Sequence, residues 1–129
     1  MRTIKFRGRS IYDKEWYQGD LEYNRADNIA RIHTYDKDGY YVRQYYVNPD
    51  TIGQFISLRD KHGKEIYEGD ILKAGDVGLL EVRFVRGVFA FLWNGSLDDE
   101  FPTGSPTHEW AEVIGNIHDN PELLKKGGL

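Results

Sequence analysis

The stretch KEWYQGDL, Lys14–Leu21, returns fifty residues later as KEIYEGDI, Lys64–Ile71. Five of the eight positions are identical, and one of the others exchanges leucine for isoleucine. In each copy a strand is predicted to reach a tight Gly-Asp corner, because glycine permits a sharp bend and aspartate can bond to nearby backbone amides. The residues at these two predicted corners are Gly19, Asp20, Gly69 and Asp70.

A second pair of segments repeats in the same order. The sequence TIGQF, Thr51–Phe55, is matched by VIGNI, Val113–Ile117, which adds Gly53 and Gly115 as candidate structural corners. Two motifs that recur in one order predict a duplicated unit. The alternative is a coincidence between unrelated β-turns.

Short alternating apolar and polar runs, separated by turn signals, predict an all-β, mainly antiparallel fold. Aromatic residues make up 14% of the chain and favour strands. Two related β sub-units are expected, at 1–58 and 59–129, packed as one compact body. A short helical turn is predicted near the C-terminus, because Asn120 can cap it and Pro121 suits its first position.

The second sub-unit is expected to resemble a small SH3-like barrel. Its clearest hairpin turns at Arg86-Gly87 between two strongly apolar strands, which are predicted to form the centre of the core. The segment 95–107 contains two prolines and an acidic cluster, and is predicted to be a long irregular loop. The four predicted barrel strands are Ile66–Leu72, Leu79–Val85, Val88–Trp93 and Trp110–Ile117.

The composition excludes several classes of protein. The chain has no cysteine, so disulfides, thiolate metal sites and a cysteine nucleophile are excluded, and a reducing compartment is favoured. The N-terminus MRTIKFRGRS lacks the apolar stretch of a signal peptide, and the expected location is the cytoplasm. A net charge of −4 argues against broad binding to a phosphate backbone.

Three segments together resemble the YopX-like family of phage and prophage proteins. They are IKFRGR at Ile4–Arg9, GQFISLRDKHGKEIYEGDI at Gly53–Ile71, and EVIGNIHDNPELL at Glu112–Leu124. The resemblance implies a small, largely β protein encoded by a bacteriophage or an integrated phage, and acting in the bacterial cytoplasm. It implies no activity and no catalytic residue.

One acidic cluster could support chemistry. Carboxylates and imidazole suit hard metal ions, which makes a metal-dependent hydrolase one alternative. However, adjacent acids on an extended loop point in different directions, and a solvated loop is the favoured interpretation. No nucleophile elbow or phosphate-binding loop is present, so a non-catalytic protein without a cofactor is predicted. The residues of the cluster are Asp98, Asp99, Glu100, His108 and Glu109.

A binding surface is the favoured functional feature. Tyr41, Arg43 and Tyr45 alternate along one predicted strand and would share a face. Aromatic and arginine side chains are enriched at protein interfaces, so the expected partner is a second copy or another phage or host protein. The alternatives are single-stranded nucleic acid, or burial of both faces within the fold. Nucleic-acid binding would be assisted by the basic N-terminal strand, which carries Lys5, Arg7 and Arg9.

Overall fold

The computed structural model describes residues 2–75, 78–97, 100–102 and 107–127. Almost all of the regular structure is antiparallel β, which confirms the predicted fold class. The chain divides into two compact units, Met1–Phe55 and Ile56–Leu129. The division falls inside a strand, between residues 55 and 56, whereas the predicted boundary follows residue 58.

The first unit contains strands in the spatial order β4-β3-β2-β1-β5. A short 3-10 helix, Pro49–Thr51, precedes β5, and the Asn48 Oδ1 atom caps it by accepting from the Asp50 N–H at 3.0 Å. The strands are β1 (Phe6–Arg9), β2 (Trp16–Asn24), β3 (Ile29–Tyr35), β4 (Tyr41–Val47) and β5, which begins at Gly53 and ends at Arg59.

The core of the first unit lies on one side of this sheet. Its buried centre is Ala30, Ile32 and Val47. Gly8 lets β1 come close to that centre, since a Cβ atom there would lie 2.7 Å from the Cγ2 atom of Val47. The partly buried side chains around the centre are Phe6, Tyr17, Leu21, Tyr45 and Ile52.

The second unit contains the end of β5, its partner β6 (Glu65–Tyr67), and a five-stranded sheet in the order β10-β9-β8-β7-β11. The helix α2 (Glu122–Gly127) confirms the predicted helical turn near the C-terminus. The other elements are β7 (Asp70–Ala74), β8 (Gly78–Val85), β9 (Val88–Trp93), β10 (Glu100–Pro102), α1 (Thr107–Trp110) and β11 (Ala111–Asn116).

The β8–β9 hairpin forms much of the core of the second unit. Leu80, Val82 and Phe91 are buried, and the Phe91 ring meets Trp110 edge to face with centroids 5.7 Å apart. The hairpin turns at Arg86-Gly87, where both residues have positive φ as a type I′ turn requires. The buried residues around these are Ile56, Ile66, Leu72 and Ala111.

The predicted SH3-like barrel is not confirmed. Among the described strands, the sheet order runs from β10 to β11 without a pairing that joins these two ends. Part of the predicted loop at 95–107 is in fact strand β10, which pairs with β9.

The first Gly-Asp pair does not form a corner. Gly19 and Asp20 lie inside the continuous strand β2, which pairs with β1 up to Gly19 and with β3 from Asp20 onward. A Cβ atom on Gly19 would lie 2.0 Å from the carbonyl oxygen of His33. The glycine therefore permits a change of partner strand at a close backbone approach, within one strand rather than at the start of a new one as predicted.

The second Gly-Asp pair does form a turn. Gly69 has φ +93° between β6 and β7, and the buried Asp70 carboxylate accepts from the backbone N–H of Tyr67 at 2.7 Å. Gly53 is the first residue of β5, directly after the 3-10 helix, and Gly115 lies within β11 at an irregularity in its pairing with β7. The two copies of the repeat already differ one residue before the glycine, because Gln18 lies within β2 whereas Glu68 lies in the turn after β6.

Candidate interaction surface

An irregularity in β4 decides which of its side chains share a face. Thr34 lies opposite Arg43 whereas Tyr35 lies opposite Tyr41, so β4 carries one extra residue at this point. Residues directly opposite each other lie on the same side of a sheet. Arg43 therefore shares a side with Tyr45, while Tyr41 lies on the other side. The prediction that all three share one face is wrong.

Tyr45 is part of the packed interior side. Its ring stacks on the ring of Tyr17, with centroids 3.5 Å apart and planes 8° from parallel. The Arg43 guanidinium carbon lies 5.9 Å from the centroid of the Tyr45 ring. Because Tyr17 covers one face of Tyr45, that face is closed to any ligand.

Tyr17 is held in place by a short hydrogen bond. Its hydroxyl donates to the Asp13 carboxylate at 2.5 Å. This bond raises the pKa of Tyr17 to about 12, with smaller contributions from partial burial and from the negative charge of Asp13. The same bond lowers the pKa of Asp13.

Exposed side chains lie where β4 begins, next to the turn that follows β3. Tyr40 is 73% exposed, Tyr41 is 54% exposed and Val42 is 56% exposed. The Tyr41 ring lies edge-on to Tyr35, with centroids 5.9 Å apart. We call Tyr35, Tyr40, Tyr41 and Val42 the tyrosine hairpin, because they flank the turn between β3 and β4.

The turn that carries the tyrosine hairpin is well tied. The Asp36 Oδ1 atom accepts from the backbone N–H groups of Asp38 and Tyr40, each at 2.9 Å. Gly39 supplies the positive φ of +88° that the turn needs. The backbone therefore holds the exposed side chains in a defined arrangement.

A polar network lies beside the tyrosine hairpin. The Glu22 carboxylate accepts from Arg31 at 2.6 Å and lies 2.8 Å from the His33 ring nitrogen. The bond to His33 is the main reason that the pKa of Glu22 is lowered, and the charge of Arg31 adds to it. Arg31 also lies over the Tyr46 ring, 4.9 Å from its centroid. The cation of Arg31 is thus paired already.

The outer edge of β4 is partly covered by the chain itself. Ser10 forms a bridge to Val47, and the Ile11 N–H donates to the Tyr46 carbonyl oxygen at 3.1 Å. The covered end of β4 therefore begins near Tyr46, and the end that carries Tyr41 and Val42 remains open.

The predicted basic strand contributes little exposed charge. Arg7 is only 8% exposed, and its guanidinium carbon lies 4.8 Å from the centroid of the Trp16 ring. The Lys5 ammonium lies 5.4 Å from the Phe55 ring centroid, and Arg9 is half-buried. Burial therefore removes Arg7 from the candidate surface.

The register also separates this basic strand from Arg43. Arg7 lies opposite Gln18, on the side of β2 away from Tyr17. Since Tyr17 stacks on Tyr45, the basic strand and the Arg43–Tyr45 pair lie on opposite sides of the sheet.

The predicted acidic cluster is only partly described. Asp98 and Asp99 lie outside the described residues, and Glu100 belongs to strand β10. His108 and Glu109 are exposed neighbours, 3.8 Å apart. Within the described ranges, no group of three His, Cys, Asp or Glu side chains could hold a metal ion.

Sequence analysis missed most of this surface. Tyr35, Val42 and the network of Glu22 with Arg31 and His33 were not singled out. A usable signal was the turn at 36–39, because the residues that flank a hairpin turn are paired across it.

The fold and the exposed side chains together define a small antiparallel β protein that presents the tyrosine hairpin on its surface. A family model described as YopX protein matches residues 5–125, and the chain belongs to this family. The family predicted from the sequence is thereby confirmed.

Two solved structures resemble the chain over nearly its whole length. Protein EF1440 from Enterococcus faecalis is 25% identical, with a TM-score of 0.60 over 96% of this chain and 99% of that chain. Protein yopX from Bacillus subtilis is 22% identical, with a TM-score of 0.56 over 96% of this chain and 97% of that chain. Both likenesses support the fold. No curated protein matches the chain.

No helix in the described part of the chain has the length and apolar character needed to cross a membrane.

Proposed function

We propose that this chain is a non-catalytic accessory protein of phage or prophage origin. It acts in the cytoplasm of the bacterial host by binding protein, either another phage or host protein or a second copy of itself. The observation that carries the proposal is the tyrosine hairpin, where exposed aromatic side chains sit on a tied turn.

The chemistry of the tyrosine hairpin suits a protein partner. Tyrosine offers a large contact area and a polar hydroxyl, and it loses little conformational entropy when it is fixed. Tyr41 already contacts Tyr35 and His33, so part of the ordering cost is met before a partner arrives. Such pre-positioned aromatic side chains are the usual centres of binding energy in protein interfaces.

Binding of single-stranded nucleic acid is the weaker proposal. Stacking of bases needs open aromatic faces and unpaired cations near them. Tyr17 covers one face of Tyr45, Arg7 is buried, and Arg31 is paired with Glu22. Exposed Arg43 supports this alternative, and it predicts an affinity that falls steeply with salt.

The test combines capture and self-association. The immobilised chain is incubated with extract from phage-infected host cells, with and without nuclease, and captured proteins are identified by mass spectrometry. Sedimentation over a wide concentration range measures self-association. The double variant Tyr40→Ser/Tyr41→Ser should lose the captured partner or the dimer. Phe84→Ser removes an equally exposed aromatic in the other unit and should change neither.

Three outcomes would contradict the proposal. Capture that disappears with nuclease indicates nucleic acid. Capture that both variants retain places the partner elsewhere. A chain that stays monomeric and captures no protein dependent on Tyr40 and Tyr41 does not act through the tyrosine hairpin.

A further inference from the structure

An open groove lies in the first unit, beside the end of β2 and the 3-10 helix. Its volume is about 340 Å³. We call it the Asp50 groove, after the only charged residue in its lining. The lining residues are Leu21, Tyr23, Asn28, Pro49, Asp50 and Ile52.

The Asp50 groove is separate from the tyrosine hairpin. Leu21 and Tyr23 alternate along β2 with Glu22, so they lie on the opposite side of that strand from the polar network. Leu21 and Ile52 also pack against the core of the first unit. The groove therefore has an apolar base that the fold holds in place.

Two polar side chains of the groove are fixed by a hydrogen bond to each other. The Tyr23 hydroxyl donates to the Asn28 Oδ1 atom at 2.8 Å. Asn28 has φ +54°, a left-handed conformation that asparagine tolerates better than most residues. The Oδ1 atom keeps a second lone pair, so it can accept one further hydrogen bond.

Asp50 supplies the charge. Its backbone N–H donates to Asn48, which fixes the backbone at the rim. Its carboxylate is exposed and forms no ion pair within the described ranges. No lysine or arginine lines the groove. The groove is thus complementary to a cation that carries an apolar stem.

We infer that the Asp50 groove binds an arginine side chain of a partner protein. The methylene stem of arginine would lie against Leu21 and Ile52. The flat guanidinium would stack on the Tyr23 ring and donate to the Asp50 carboxylate. A lysine ammonium could make the ion pair but not the flat stack, so arginine is the better match.

The lining also distinguishes a protein side chain from the free amino acid. Free arginine carries an α-ammonium group, which would compete with its guanidinium for Asp50, and an α-carboxylate for which the groove offers no cation. An arginine within a polypeptide has no such charge. The occupant is therefore assigned to a partner chain rather than to a free metabolite.

The experiment uses the ¹⁵N-labelled full chain and a blocked arginine, N-acetyl-L-arginine methylamide. Titration should give saturable amide shifts at Leu21, Tyr23 and Asn28. Blocked citrulline, which has the same shape without the charge, should bind about threefold to fivefold more weakly, because the ion pair with the exposed Asp50 carboxylate is lost. Free L-arginine should also bind more weakly than the blocked form.

Variants locate the charge. Asp50→Asn should raise the dissociation constant for blocked arginine about threefold to fivefold. Asp38→Asn removes the same charge from an exposed turn outside the groove and should leave it unchanged. Tyr40→Ser/Tyr41→Ser should also bind blocked arginine normally, so this inference and the proposed function fail independently.

Four results would overturn the inference. They are the absence of saturable shifts at the groove, equal binding of blocked citrulline, equal loss with Asp38→Asn, and tighter binding of free arginine than of the blocked form. If Asp50→Asn fails to fold, the citrulline comparison on the unaltered chain still decides.

Discussion

The rings of Tyr17 and Tyr45 lie parallel, with their centroids 3.5 Å apart. The stack joins β2 to β4, although β3 lies between them in the sheet. Tyr17 also connects the loop before β2 to the sheet, because its hydroxyl donates to Asp13. Tyr45, which the sequence predicted to be part of a binding face, is therefore part of the internal packing.

The Asp13–Tyr17 bond predicts an unusual tyrosine titration. Tyr17 should ionise with a pKa of about 12, whereas the ordinary value is 10.0. Asp13→Asn should lower the pKa of Tyr17, because it removes the carboxylate that stabilises the protonated hydroxyl. NMR of ¹³Cζ-labelled tyrosines measures this, with Tyr17→Phe assigning the signal.

A matched control separates the hydrogen bond from the stack. Tyr45→Phe keeps the stacked ring and removes only the smaller contribution of the Tyr45 hydroxyl, so it should lower the pKa of Tyr17 less than Asp13→Asn does. Because the folded-state pKa is raised, this bond contributes to stability below pH 10 and the contribution is lost as the pH rises to about 12. An ordinary pKa for Tyr17 in the unaltered chain would contradict the bond.

Gly19 is predicted to reject any side chain. In Gly19→Ala the new Cβ atom would meet the His33 carbonyl oxygen at 2.0 Å, and two strands would have to separate. We expect a loss of about 2–3 kcal/mol, measured by urea unfolding. Gly39→Ala meets no atom within 4 Å and should cost about 1–2 kcal/mol, from its left-handed φ alone. Equal losses would count against the close strand contact.

Gly69 is predicted to be sensitive for a different reason. Its φ of +93° is left-handed, so Gly69→Ala should cost about 1–2 kcal/mol of folding free energy. Asparagine tolerates such backbone better, and Gly69→Asn should therefore retain more stability than Gly69→Ala. Urea unfolding of the two variants measures the difference, and the reverse order would mean that space rather than φ limits this site.

Asp60 is predicted to stabilise the second unit through its carboxylate. It is 2% exposed and accepts from the backbone N–H groups of His62 and Lys64, each at 2.9 Å, and of Val113 at 3.0 Å. Asp60→Asn cannot accept all three, so we expect a loss of about 1–3 kcal/mol in the free energy of unfolding. Asp36→Asn, in a similar but exposed turn, should cost less.

The lowered pKa of Asp60 predicts that the stability of the fold depends on pH. Burial opposes ionisation of Asp60, but the N–H groups of Val113, Lys64 and His62 outweigh it and lower the pKa below 3.8. A lowered pKa means that the contribution is present above pH 3.8 and is lost as the pH falls through the folded-state value. Stability measured against pH should therefore fall more steeply below pH 3.8 in the unaltered chain than in Asp60→Asn.

The sequence was sufficient for the strands and their turns. The predicted strand Val88–Trp93 coincides with β9, and its hairpin turns at Arg86-Gly87 as predicted. These features depend on neighbours in the chain, such as alternation and turn chemistry. Local patterns therefore predicted them well.

The faces of the strands could not be predicted in the same way. The extra residue in β4 reverses Tyr41 relative to Arg43, and it depends on how β3 pairs with β4. Burial of Arg7 likewise depends on the Trp16 side chain of another strand. Both are properties of the assembled sheet, so alternation along one segment does not contain them.

One missed element did have a local signal. Asn48-Pro49 opens the 3-10 helix with an N-cap residue and proline, the combination that correctly predicted the helical turn after Asn120. Asn120 itself is used differently, because its Oδ1 atom accepts from the Asn116 N–H at 3.2 Å. The signature predicts where a helix begins, but not which amide the side chain binds.

The bridge from Ser10 to Val47 covers part of an outer strand edge. An uncovered flat strand is a template on which further copies can stack without end. Here the segment around Ser10 and Ile11 occupies one end of the β4 edge, and the extra residue distorts the other. The exposed Tyr40 and Tyr41 side chains thus lie at the start of a strand whose backbone is a poor template for growth into fibres.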